Sequence, residues 1–215
     1  MLYPFFGKNT IINQPSNNNI FTLDEIKQYL NIPTISTAKD NELTMLLNMA
    51  VEEFCDISQG SILNTTYKSQ LYGFHNFDKN YNNYFYTNNV IRIKRQFIHT
   101  VNSIKYLSNG VMTTLPSTEY NVDCQPFYVD IVSLNENGFP KVDEFINNVQ
   151  KLGTVEVEFV AGFGTTKASI PDKIKRALLS YITYFYTNKG DCNGCGNANA
   201  QFSQIASEYL YYYGM

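Results

Sequence analysis

The segment Gly153–Asp191, GTVEVEFVAGFGTTKASIPDKIKRALLSYITYFYTNKGD, constrains this chain more than any other. It opens on strict alternation, with Val155, Val157 and Phe159 on one side and Glu156 and Glu158 on the other. That pattern predicts a strand over 154–160 with one buried face. Gly162-Phe163-Gly164 punctuates a turn, and a helix follows. Ser169 and Asp172 read as a capping pair, Pro171 falls in the first turn where its missing N–H is harmless, and Gly190 closes the end. From Ile170 to Asn188 the helix would span about 28 Å at roughly 1.5 Å per residue. Ile174, Ala177, Leu178, Tyr181 and Phe185 form one apolar stripe; Leu179, Ile182 and Tyr186 form a second. A helix that is apolar on more than one side needs cover on more than one side. The surplus is expected to face a partner subunit, with Leu179, Ile182 and Tyr186 as interface candidates.

Two helices are predicted upstream. Thr22 followed by Glu25 is a capping box, Phe21 and Ile26 are placed as a hydrophobic staple, and Pro33 ends the first helix near Asn31. The second runs from Asp40 to Ser58, with Leu43, Leu46, Leu47, Val51 and Phe54 facing the core and Gly60 as the stop. Met45 and Met49 make a narrower stripe on another side, which either packs on the first helix or meets another subunit. The period then changes to two. Strands are expected at 65–72, 90–94, 101–107, 111–115, 120–123 and 127–132, and Asn109-Gly110 marks a hairpin. Residues 73–89 read as an extended loop, and 133–152 as loop with a short helical turn.

Grouped strands flanked by helices favour an α+β fold. The expectation is an N-terminal helix pair, antiparallel β-strands in a small sheet or barrel, a long C-terminal helix and an extended tail. Residues 1–19 read as a poorly ordered arm, 20–191 as one domain, and 192–215 as a flexible linker and tail.

Composition narrows the function. The 215 residues carry 44% hydrophobic and 16% charged side chains, a globular balance, and the net charge of −3 argues against a dedicated nucleic-acid binder. No apolar run of roughly 18 residues is present, so no transmembrane helix is expected. The N-terminus lacks the pattern of a signal peptide, which makes cytoplasmic synthesis and reduced cysteines the expectation. The 17 Tyr and 15 Phe, with no Trp and runs of Asn, fit an AT-rich genome and carry little functional weight.

Candidate chemistry is thin. Cys192-Asn193-Gly194-Cys195 has the spacing of half a zinc site, but a closed site needs four ligands, and Cys55, Cys124, His75 and His99 are scattered. An incidental Gly/Asn-rich loop is the simpler reading. Asp24-Glu25 and Glu52-Glu53 are adjacent on helices and point in different directions, as cap and solvent-face charges do. Gly162-Phe163-Gly164 lacks the third glycine of a dinucleotide motif and the Gly-Lys-Ser/Thr of a P-loop. Lys94, Arg95 and Lys105 could touch phosphates but read better as edge-strand charges or interface partners. No catalytic residue, metal ligand or cofactor is therefore assigned, and a non-enzymatic role is expected.

The order of these elements resembles the head–tail connector (adaptor) proteins of tailed bacteriophages. The resemblance runs through TLDEIKQYLNI, DNELTMLLNMAVEEFCDISQGSIL, the middle IRIKRQFIHTVNSIKYLSNGVMTTLPSTEYNVD, and the closing VEVEFVAGFG and IPDKIKRALLSYITYFYTNKGD. The Ala161–Gly164 turn, the Ile170-Pro171 helix start and the Tyr186–Asn188 helix end are its most typical parts. It covers residues 22–191; the loop at 73–89 is longer than usual, and the tail after Asp191 has no counterpart. It implies a homo-oligomeric ring, usually of twelve copies, docked beneath the portal protein and above the next neck or tail protein. Genomic DNA would pass non-specifically through the centre. The location would be the virion neck, reached from the host cytoplasm during assembly. Members of the family often reach the portal through C-terminal segments, which makes Phe202, Ile205, Tyr209, Leu210, Tyr211, Tyr212 and Tyr213 the candidates for portal contact. Another neck component, a stopper or tail-completion protein, is the nearest alternative; a DNA-binding accessory protein is the alternative from another class.

Overall fold

Thr154 to Ala161 shows how closely local pattern and tertiary structure agree. The computed structural model describes residues 8–74, 76–77, 86–87, 90–126, 128–142, 145–146, 149–150, 152–188 and 195–209. The strands are β1 (Lys8–Asn13), β2 (Thr65–Leu71), β3 (Asn76–Phe77), β4 (Tyr86–Thr87), β5 (Val90–Lys94), β6 (Ile98–Ser108), β7 (Val111–Thr114), β8 (Tyr120–Cys124), β9 (Tyr128–Ser133), β10 (Phe145–Ile146), β11 (Val149–Gln150) and β12 (Val155–Ala161). The helices are α1 (Leu23–Tyr29), α2 (Asp40–Ser58), α3 (Asp172–Thr187) and α4 (Cys195–Glu208). The fold is α+β with open antiparallel sheets. Contacts divide it into two compact units: residues 1–13 with 65–161, and residues 14–64 with 162–215. No helix among the described residues is long and apolar enough to cross a membrane.

The first unit is β-rich. Its main sheet has the order β1-β2-β12-β6-β7, and each neighbouring pair is antiparallel. β12 lies at the centre, where strict alternation is needed because one face is buried. Val155, Val157 and Phe159 are fully buried. The opposite face is a polar ladder: Gln70 Nε2 donates to Glu156 Oε1 at 3.0 Å, Lys68 pairs with Glu156 at 3.1 Å, and Asn102 Nδ2 donates to Glu158 at 3.0 Å. Burial pushes the Glu156 carboxyl up, but the hydrogen bonds from Gln70 and Lys68 and the charges of Lys68 and Lys105 hold it below its ordinary pKa. A second sheet has the order β5-β9-β8, and its Ile91, Ile93, Val129 and Ile131 join the same apolar core. The β6–β7 hairpin turns at Asn109 (φ 51°) and Gly110 (φ 76°), the paired positive φ values that a two-residue turn between twisted strands requires.

The second unit is helical, and its two segments share one core. α1 begins at a complete capping box: Thr22 N–H donates to Glu25 Oε2 at 2.9 Å and Glu25 N–H to Thr22 Oγ1 at 3.3 Å. Phe21 and Ile26 are both buried. Lys27 is buried too; its Nζ pairs with Asp40 Oδ1 at 2.6 Å and donates to the Thr34 carbonyl at 3.2 Å, tying α1 to the start of α2. α2 buries Leu43, Leu46, Leu47, Ala50, Val51 and Phe54.

Four sequence expectations are corrected. Residues 8–13, read as part of a disordered arm, form the edge strand β1; an edge needs only one hydrogen-bonding neighbour, so Asn-rich composition does not forbid it. Within 133–152, Phe145–Ile146 and Val149–Gln150 pair as short antiparallel strands, where a helical turn was expected. α3 starts at Asp172, with Pro171 at the N-cap; Ser169 does not cap it, because its Oγ donates to the Thr166 carbonyl at 2.6 Å within a short 3₁₀ turn. Gln59 (φ 55°), not Gly60, takes the left-handed position after α2.

Gly162, Phe163 and Gly164 are held by backbone of the helical unit. Phe163 N–H donates to the Ile62 carbonyl at 3.1 Å, and Asn64 N–H to the Gly164 carbonyl at 2.8 Å. A Cβ on Gly162 (φ 145°) would lie 2.6 Å from Asn64 N and closer still to the Leu63 carbonyl. Gly162→Ala should therefore cost about 3 kcal/mol. Gly110→Ala, with nothing within 4 Å of the added methyl, should cost about 1 kcal/mol from backbone strain alone. Urea unfolding of the two variants checks the difference, and equal losses would contradict the close approach at Gly162.

Candidate assembly surfaces

Apolar side chains are where a structural protein would keep its contacts, so each candidate is judged by whether its own unit already covers it. α3 buries Ile174, Ala177, Leu178, Tyr181 and Ile182, while Leu179, Phe185 and Tyr186 are half-buried against the same core. Of the second stripe, Ile182 is 1% exposed and cannot be an interface side chain. The expected surplus is absorbed inside the unit, and α4 does much of the covering.

That helix, Cys195–Glu208, overturns the reading of this part of 192–215 as flexible linker and tail. Gly196, Asn197 and Asn199 are poor helix formers and hide it from a propensity argument. The signal was the spacing of Phe202, Ile205, Ala206 and Tyr209, which is i, i+3, i+4, i+7. Phe202 (1% exposed) and Ala206 are buried, and Ile205 and Tyr209 are half-buried against the helical core. The Phe202 ring lies edge-on to Phe54 at 6.1 Å and tilted on Tyr181 at 4.7 Å; Tyr209 approaches Phe54 at 6.0 Å and Phe163 at 5.7 Å. Lys173 on α3 pairs with Glu208 on α4. Phe202 is therefore a core residue, not a portal contact. Leu210, Tyr211, Tyr212 and Tyr213 lie outside the described residues, as do Cys192 and His75.

Met45 and Met49 behave differently. They are 55% and 40% exposed on the side of α2 away from its buried stripe, so packing on α1 is not their role. Sequence reasoning passed over further exposed apolar groups: Ile11 and Ile12 on β1, Val111 and Met112 on β7, and Ile35 between α1 and α2. Adjacent apolar residues in a strand that breaks alternation were the available signal for the first two pairs.

The basic candidates are engaged. The Arg95 guanidinium stacks 3.7 Å from the Tyr67 ring centroid and donates to its hydroxyl at 2.6 Å, and Lys105 stands near enough to Glu156 to lower its pKa. Cys124 is exposed, but burial of the thiol and the neighbouring Asp123 push its pKa up, away from a reactive thiolate. Among the described residues no three His, Cys, Asp or Glu side chains converge to hold a metal ion.

No protein-family model matches the chain, and no curated protein matches it. Solved structures do. A chain of the neck of the empty gene transfer agent (GTA) particle, computed with C6 symmetry, superposes with TM-score 0.73 at 14% identity, covering 97% of each chain. A chain of the native GTA virion gives 0.71 at 13%, covering 96% of this chain and 97% of that one. One from the neck of the native particle, computed with C12 symmetry, gives 0.68 at 13% and 97% of each. The chain has the fold of a phage-like neck protein. This is the fold that the connector resemblance implied, now found over nearly the whole chain rather than residues 22–191 alone.

Glu25 links this unit to pH. Lys167 Nζ donates to Glu25 Oε1 at 2.7 Å, and with the Thr22 N–H it holds the carboxyl below its ordinary pKa. A folded state that binds this proton less tightly than the unfolded chain gains stability above the ordinary carboxylate pKa and loses it as pH falls through the lowered value. The gap in unfolding midpoint between the native chain and Glu25→Gln should therefore be present at pH 7 and close under acid conditions. Phe202→Ala should cost about 3–5 kcal/mol, while Met45→Ala stays within about 0.5 kcal/mol. Chemical denaturation distinguishes a core residue from a surface one.

Proposed function

We propose that the chain is a non-enzymatic structural protein of a tailed-bacteriophage virion, a subunit of the head–tail connector ring in the neck. The observation that carries this is the match of fold across 97% of the chain to neck chains of particles computed with C6 and C12 symmetry. In this reading the ring binds the portal on one side and the next neck or tail protein on the other, and genomic DNA passes through it without sequence-specific contact. Assembly begins in the host cytoplasm and ends in the virion neck.

Two features support the reading. Met45 and Met49 present flexible thioether side chains on an otherwise folded helix, a surface suited to a subunit contact. Basic residues are held in ion pairs such as Arg92–Asp130 and Lys68–Glu156, and a protein that lets DNA slide has reason not to leave cations free for phosphates. With Phe202 in the core, the portal-contact candidates of this reading are Ile205, Tyr209 and Leu210–Tyr213.

Mixing the purified chain with its portal protein and imaging the product by electron microscopy tests this directly. A ring stacked on the portal is expected. Deleting residues 210–215 should abolish docking while leaving thermal unfolding within a few degrees of the intact chain. Salt-dependent binding to duplex DNA without portal docking would instead favour the DNA-binding alternative.

A further inference from the structure

We propose that successive copies of the chain join through the two open edges of the five-stranded sheet, β7 of one copy lying alongside β1 of the next. The inference rests on the ring reading above and names the surface that closes it. In the sheet order β1-β2-β12-β6-β7, each outer strand is paired on one side only among the described residues. β1 is exposed at every residue but Thr10, which is half-buried, and β7 is exposed throughout. Each carries a pair of adjacent apolar residues, Ile11-Ile12 and Val111-Met112, with Ile11 56% and Val111 65% exposed.

Sheet edges that must stay single are protected by charge, proline or a covering element. β7 (VMTT) has neither charge nor proline, while β1 (KNTIIN) has Lys8 at its first position and a register shift between Ile11 and Asn13, so β7 is the barer of the two edges. The edges of the three-stranded sheet provide a contrast within the same unit: β5 carries Arg92 and Lys94, and β8 carries Asp123. β5 is thus defended against edge pairing by two charges, whereas β7 carries none.

Strand direction selects the occupant. Every neighbouring pair in the five-stranded sheet is antiparallel, so its first and fifth strands run the same way. A rotation about an axis roughly along the strands then sets β7 of one copy parallel to β1 of the next and repeats indefinitely, which is the heterologous contact that a ring needs. Pairing of like edges, β1 with β1 or β7 with β7, would run antiparallel about a two-fold axis and stop at a dimer. Main-chain hydrogen bonds would hold the junction, with Ile11 and Ile12 meeting Val111 and Met112.

The test is cysteine cross-linking of the full chain, its four native cysteines replaced by serine, incubated with the portal and treated with a short bismaleimide. The double variant Asn9→Cys/Thr113→Cys should give a ladder of dimers, trimers and higher species, and each single variant should remain monomeric. A dimer from either single variant would mean that like edges meet and would overturn the proposal. Rings visible in the microscope without a ladder would also overturn it, leaving the ring reading intact. No rings, with the serine background or the unsubstituted chain, would remove the ring reading and this inference with it. As a second check, Val111→Lys/Met112→Lys should lose ring formation with unchanged far-UV circular dichroism; rings that persist would count against the edge junction.

Discussion

The helical unit exists only because two stretches of chain separated by about a hundred residues come together, and the close approach of Gly162 to Leu63 and Asn64 is where their backbones meet. Closing so long a loop costs entropy that local helix formation cannot recover. The return is a shared core: Leu43, Leu47 and Phe54 from the first stretch close over Ile174, Leu178 and Phe202 from the second. Backbone bonds from Phe163 to Ile62 and from Asn64 to Gly164 fix the meeting point. A side chain at position 162 would hold the two strands of backbone apart, so a residue without one is dictated by geometry and not by local flexibility.

Much of the fold was legible because its elements are locally self-consistent. β12 alternates, α2 carries an unbroken apolar stripe, Thr22 and Glu25 cap α1, and Asn109-Gly110 fixes a hairpin; in each, propensity and tertiary demand agree. The failures share a cause. β1 and α4 each mix residues that favour their structure with Asn or Gly that oppose it, and each is stabilised by what it packs or pairs with. β1 takes its order from the ladder with β2, and α4 takes its order from the cover that Phe202 and Ala206 receive from α2 and α3. Propensity carries no information about such tertiary support.

The same error explains why the candidate site was only partly read. Reading 192–215 as linker and tail leaves α3 with an apolar side and no cover, and the surplus then falls to a neighbour. Once α4 is a helix, Ile182 and Phe202 belong to the subunit's own core. Among the described residues the exposed apolar side chains lie elsewhere, among them Met45 and Met49 on a helix and Ile11, Ile12, Val111 and Met112 on the two outer strands of the main sheet. Neither place stood out by composition. Met45 and Met49 were legible as a stripe, because helical spacing places them together; the edges were not, because edge status depends on which strand ends the sheet.

Electrostatics constrains what such a surface can do. The described basic side chains are largely committed: Lys27 to Asp40, Lys68 to Glu156, Arg92 to both oxygens of Asp130 and Lys167 to Glu25. On the polar face of the main sheet, Lys68 and Lys105 stand against Glu156 and Glu158, so positive and negative charge offset each other within one ladder. A cation already paired with a carboxylate releases fewer counterions on meeting a phosphate, because part of its field is spent inside the protein. A net charge of −3 adds no overall attraction to DNA. The association proposed above would then rest on short-ranged forces, apolar contact and main-chain pairing. Both require shape and register, so the proposed partner must present a matching edge or a matching apolar face.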